Sequence, residues 1–176
     1  MADTPIPSTF GPNIFFASQS VLDTVHRLSW SDDGVGYVYA LCSQNAFGQY
    51  RYVGQSTNPI RRYQEHTEQR SQIGRYGKLW LNYTQEHGDT ICMVLVEACS
   101  LKDLDAREQH YIHAFGQHYR LHNIGTPYHV FLTKRAELLR TRQKTSLAIA
   151  ASQQEKLLRQ IDSELEHLEA SIAHLL

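Results

Sequence analysis

The run from Thr90 to Ala98, with Ile91, Met93, Val94, Leu95 and Val96, is the most apolar stretch of the chain, and it constrains the fold most. Gly88 and Ser100 punctuate its ends, so it reads as a central β-strand. Such a strand needs neighbours, and two β-rich runs supply them. Tyr37–Cys42 and Tyr50–Gly54 flank a loop around Asn45 to Gln49, which predicts a hairpin with a long turn. Asn58-Pro59 then predicts a helix start, a cap residue followed by proline at the first helical position, with the helix running to about Ile73 and ended by Gly74. A second helix is expected from Arg75 to His87, with Leu79, Trp80 and Tyr83 on its apolar face. After the central strand, Ser100 is expected to cap a helix from Leu101 to about Phe115, with Asp103 complementing its dipole. The order β-β-α-α-β-α predicts a small mixed α/β (α+β) domain over residues 36–127, a three-stranded central sheet flanked by helices.

Two flanks remain. Residues 1–35 are expected to form a leader, loose around Pro5, Pro7, Gly11 and Pro12, with a short helix where Val21, Leu22, Val25 and Leu28 recur. Residues 128–176 are expected to be a helical extension, because 133–176 contain neither glycine nor proline; one long helix and two pieces fit equally. Leu158, Ile161, Leu165, Leu168, Ile172 and Leu175 form a heptad seam flanked by Glu155, Asp162, Glu164 and Glu169. Such a seam either makes a homo-oligomer or docks within its own chain. The acidic flanks argue against simple parallel self-pairing and favour the basic stretch Lys134–Lys144, or a basic partner.

Composition narrows the function classes. A net charge of −1 excludes a polybasic protein that holds nucleic acid by charge alone, and leaves room for local patches. Cys42, Cys92 and Cys99 are odd in number and lack C-x-x-C spacing, which suits buried thiols in a reducing cytoplasm. No run of about eighteen apolar residues occurs, so no membrane span is expected. His110, His113, His118 and His122 read as exposed residues around a helix end rather than zinc ligands.

The chemistry gathers in the predicted domain. Arg62, His66 and Arg70 recur at helical spacing, and a guanidinium there suits a phosphate. The same pattern, taken alone, also suits a solvated basic face. Arg61, Arg75 and Lys78 extend the positive surface and are expected, with Arg70, to contact DNA. Glu108 shares a helix face with Leu104, Tyr111, Ile112 and Phe115; it reads as a metal-binding carboxylate, or as a buried glutamate paired with an arginine such as Arg62. Strand alternation puts Tyr37 with Tyr39, and Tyr50 with Tyr52 and Gly54.

Tyr37-Val38-Tyr39, Tyr52-Val53-Gly54, Arg62 eight residues after Gly54, His66 four later, then Glu108 and Asn123 together resemble the GIY-YIG nuclease family over residues 36–127. Gln55-Ser56 matches the small polar pair after the second signature, while Tyr37 stands where the family opens with glycine. The resemblance implies metal-dependent endonuclease activity on DNA, restriction-like or associated with phage or mobile elements, with Mg²⁺ as cofactor and Mn²⁺ as a substitute. It implies that Tyr39 acts on the attacking water, Tyr52 contacts the phosphate region, Arg62 clamps the phosphate and His66 assists. Glu108 would bind the metal and Asn123 would brace the site. A catalytically inert nucleic-acid-binding or adaptor module on the same fold is the alternative. It has no need of an inward carboxylate that repels phosphate.

Overall fold

The apolar run lies in the middle of a five-stranded sheet. The computed structural model describes residues 6–8, 10–28, 34–68, 70, 73–124, 126–148 and 151–171. In chain order its elements are β1 (Ile6–Pro7), β2 (Ile14–Phe16), α1 (Gln19–Leu28), β3 (Val35–Ser43), β4 (Tyr52–Ser56), α2 (Pro59–Thr67), α3 (Arg75–Glu86), β5 (Ile91–Ser100), α4 (Leu104–Gly116), α5 (Pro127–Ala148) and α6 (Ala151–Ser171). The strand order is β1-β2-β5-β3-β4, with β2 parallel to β5 and β3 antiparallel to both β4 and β5. The expected β-β-α-α-β-α order is therefore present, but the sheet has five strands rather than three. The leader is not loose where it is described: Ile14–Phe16 pairs with Met93–Leu95 and covers an apolar edge that would otherwise invite intermolecular pairing.

Both sheet faces are covered. Met93, Leu95, Tyr39 and Leu41 pack on one face with Val21, Val25, Ile73 and Leu81; Val94, Val38 and Val53 pack on the other with Leu104 and Leu121. Strand β5 carries the core, and a Leu95→Ala change should cost about 2–5 kcal/mol. Simple alternation would put Glu97 on the same face as Leu95. A β-bulge prevents this: Val38 faces Glu97 and Tyr39 faces Leu95, so Val96 is the extra residue. Glu97 then meets Arg107 of α4, whose Nε donates at 2.8 Å.

Several expected boundaries move. Helix α2 stops at Thr67, so Arg70 does not continue the face of Arg62 and His66. The Asn58 cap is formed, its side chain accepting from the Arg61 N–H. Ser100 makes no side-chain cap; its hydroxyl donates to Asp103, and a 3₁₀ turn over Leu101–Asp103 precedes α4. In α3 Gly77, Leu81 and Thr84 are buried; of the expected face Trp80 packs, partly buried, against the core, while Leu79 and Tyr83 are exposed. Tyr50 precedes β4 and joins the opposite face from Tyr52, stacked on Phe115 at 5.0 Å.

The extension forms two helices that run antiparallel. Arg135 pairs with Glu169 at 3.2 Å and Arg142 with Asp162 at 3.1 Å, one heptad up on α5 meeting one heptad down on α6. Leu138, Thr145 and Ile161 are buried, so the seam docks on the basic stretch of its own chain. Ile172 and Leu175 lie outside the described residues.

Candidate active site

Strand β3 supplies the centre. Tyr39 stands directly opposite Gly54 across the β3–β4 ladder. A Cβ at position 54 would overlap the Tyr39 hydroxyl and ring, so glycine there is what lets the phenol lie across the neighbouring strand. The Tyr39 side chain has no solvent exposure, and its oxygen contacts His66 Nε2 at 2.8 Å and receives the Arg62 Nε–H at 3.0 Å. Burial pushes the phenol pKa well above its usual range, against the pull of Arg62. Tyr39 is therefore a neutral phenol in the resting protein.

His66 and Arg62 sit one helical turn apart on α2, as their spacing requires. His66 is fully buried, packed edge-on against Tyr39 and Tyr52 at 5.6 and 5.8 Å between rings. Burial, then the neighbouring Arg62 charge, depress its pKa to about 4, so it is neutral and able to accept a proton at pH 7. Its Nδ1 finds no partner among the described residues. Arg62 remains partly open, with a quarter of its side chain (24%) exposed. Burial opposes its charge, but Tyr39, Glu65 and Tyr52 more than compensate and raise its pKa. Glu65, not Glu108, is its ion-pair partner, at 2.9 Å.

Glu108 faces this group from α4 on the other side of β4. It is half-buried, and its hydrogen-bond partner is neutral: Gln55 Nε2 donates to it at 3.2 Å and to Asp105 at 2.6 Å. Burial raises its pKa, Asp105 adds to the rise, and Gln55 and Arg62 oppose it. No salt bridge occupies this carboxylate among the described residues. Oxygen donors of this kind, with room for waters, suit a hard divalent cation. No preformed cage of three or more His, Cys, Asp or Glu side chains occurs among the described residues.

Asn123 holds the outer strand. Its amide receives the Val53 N–H and donates to the Val53 carbonyl, both at 2.8 Å, so a side chain continues the ladder where β4 is an edge. Tyr37 is a packing residue, buried and edge-on to Phe10 at 5.7 Å. The expected DNA-contacting residues are all exposed. Arg61 and Arg70 are tied to Glu65 and Glu68, while Arg75 and Lys78 open α3.

Tyr39, Tyr52, Arg62, His66 and Glu108 thus converge, and Asn123 lies behind them. Sequence reasoning missed Glu65 and Asp105, although each stands three residues from a residue that it did single out. It also placed His122 on the surface, whereas His122 is buried against Trp80.

Residues 35–120 match the family model described as GIY-YIG catalytic domain, and they contain β3 to α4 and the converging side chains. Over these residues the chain carries a GIY-YIG domain, a domain of nuclease type. Neither a curated protein nor a solved structure matches the chain. No helix among the described residues is long and apolar enough to cross a membrane.

Proposed function

We propose that the protein is a metal-dependent endonuclease that hydrolyses DNA phosphodiester bonds, with a restriction-like or mobile-element role. The observation that carries this reading is the Tyr39 hydroxyl held between His66 and Arg62, beside a carboxylate with no salt-bridge partner among the described residues. An adaptor built on the same fold would need neither a buried neutral histidine nor an inward Glu108.

Each residue has a role in this reading. Arg62, anchored by Glu65 and Tyr39, turns its partly exposed guanidinium to the scissile phosphate. Glu108 would hold the cation, Mg²⁺ or Mn²⁺ in its place, which when bound supplies positive charge to the phosphate oxygens. Water attacks phosphorus and the bond to the leaving oxygen breaks, that oxygen keeping the electron pair and taking a proton from solvent. The proton released from water travels toward the Tyr39 oxygen, whose own proton passes to neutral His66 over the 2.8 Å contact. Tyr52 lines the approach to this pair, and Asn123 keeps β4 in register. Arg61, Arg70, Arg75 and Lys78 guide the flanking backbone.

Supercoiled plasmid incubated with the protein and Mg²⁺ should be nicked or linearised, and EDTA should prevent it. A plasmid that stays supercoiled with Mg²⁺ and with Mn²⁺ would overturn the reading.

A further inference from the structure

A cleft of about 520 Å³ opens between the β3–β4 turn, α3 and the start of α5. None of Tyr39, Arg62, His66 or Glu108 lines it. Two arginines do, Arg51 and Arg120, and no carboxylate pairs with Arg51 among the described residues. Burial and then the nearby Arg120 hold the pKa of Arg51 below its usual value, the mark of a cation lacking an anion. Arg120 lies 5.9 Å from the Tyr128 ring. Asp89 also lines the cleft, but its Oδ1 is taken by the N–H groups of Asn45 and Thr90, at 3.2 and 2.8 Å.

One wall of the lining is aromatic, with Tyr76, Trp80, Tyr83 and Tyr128. Tyr83 is 60% exposed, and Trp80 stacks on the buried His122 ring at 6.0 Å, whose Nδ1 finds no partner among the described residues. A planar anion satisfies both halves at once. Inorganic phosphate would leave the aromatic wall unused, and an apolar peptide would leave Arg51 without an anion.

The cleft leads toward the catalytic cluster. Arg51 precedes Tyr52 and His122 precedes Asn123, and the His122 N–H donates to the Arg51 carbonyl at 2.7 Å. A smaller pocket of about 230 Å³ is lined by both His122 and Tyr52.

We propose that this cleft binds an unstacked nucleotide of the strand being cut, its phosphate on Arg51 and Arg120 and its base on the Trp80–Tyr83 wall. The assignment to a strand rests on the nuclease reading; the chemistry of the cleft does not. The preferred substrate then carries an unpaired nucleotide near the cut, because such a base has no pairing to lose and costs least to take out of a duplex.

The test uses the full chain in EDTA with three fluorescent probes: a perfect duplex containing 2-aminopurine, the same duplex with that base unpaired, and 2-aminopurine nucleotide alone. The unpaired probe should change fluorescence on binding and bind roughly tenfold more tightly than the perfect duplex, the scale of one stacked base. Arg51→Gln combined with Tyr83→Ala should abolish that preference, and Arg51→Lys alone should weaken it. Thermal melting checks that the fold is kept. Equal affinity for paired and unpaired probes, or a preference that survives in the folded double variant, overturns the proposal. A response to the free nucleotide but to neither strand also overturns it, and assigns the cleft to mononucleotides. The plasmid assay separates this from the nuclease reading: an unpaired probe held by a protein that cuts nothing leaves the nucleotide site standing, whereas cleavage with no preference for the unpaired probe removes it alone.

Discussion

The sheet-centred site and the α5–α6 hairpin both depend on charged and polar side chains, yet they place them in opposite environments. In the site, Tyr39 and His66 have no exposure and Arg62 little, and each hydrogen bond has few substitutes. In the hairpin, Arg142 and Asp162 keep about half of their side-chain surface in water, 51% and 47%. A buried polar group that loses its partner keeps its full desolvation cost, while an exposed one turns to solvent. Substitutions of similar chemistry should therefore differ greatly in effect between the two regions.

The largest effect is expected at Glu108. Glu108→Gln should preserve the fold and lower cleavage by several orders of magnitude, on the scale of several kcal/mol for a metal's contribution. DNA binding should be unchanged or tighter, since a negative charge near phosphate is lost. Plasmid cleavage and a binding titration on the same preparation check both. Near wild-type cutting would remove Glu108 from the metal site.

Tyr39→Phe removes one hydroxyl and should lower the rate by about 10²–10⁴, the range for proton transfer by a positioned side chain. It should also destabilise the fold by about 1–3 kcal/mol, because the buried His66 and Arg62 lose a partner. Tyr37→Phe, two residues away on the same face, is the comparison and should leave the rate unchanged. The reverse pattern would mean that the signature begins two residues earlier.

Acid separates the regions by a different route. His66 and His122 have pKa values of about 4 in the fold, against 6.5 for the free side chain. Between those values the unfolded chain binds more protons, so stability is complete above pH 6.5 and is lost as pH falls toward 4. Each histidine contributes on the order of 3 kcal/mol to that loss. Urea unfolding midpoints at several pH values measure it, and His66→Asn should flatten the curve. A slope unchanged by that substitution would show that His66 is protonated as readily in the fold as outside it.

The smallest effect is expected in the hairpin. A double-mutant cycle on Arg142 and Asp162 should give a coupling of about 0.2–1 kcal/mol, weakened by salt. Ile161→Asp, on the covered seam, should open the hairpin, visible as lost helicity in circular dichroism. A coupling of several kcal/mol would show a far less hydrated pair.

How much could be read beforehand differs by residue. The Arg62–His66 pair was legible because both lie on one helix, where four residues equal about one turn. Its extension to Arg70 was not, since the chain leaves the helix at Thr67. The phase of β5 was also hidden: period-two alternation places Glu97 in the core beside Leu95, and a single bulged residue turns it toward Arg107. Ile14–Phe16 is three residues long, too short for any period to declare it a strand, and only pairing with β5 makes it one.

The sequence by itself determined the order of elements from β3 to α4, the helix start at Asn58-Pro59, and Tyr39, Arg62, His66 and Glu108 as candidates for the site. It did so because local periodicity, capping and turn chemistry depend on neighbours a few positions apart. Tertiary structure alone decided that Gln55 joins Asp105 to Glu108, that Asn123 closes the ladder at Val53, and that the acidic seam of α6 lies on α5. These contacts span thirty to seventy residues of chain, and only the packing of the sheet, or of α6 on α5, brings their ends together.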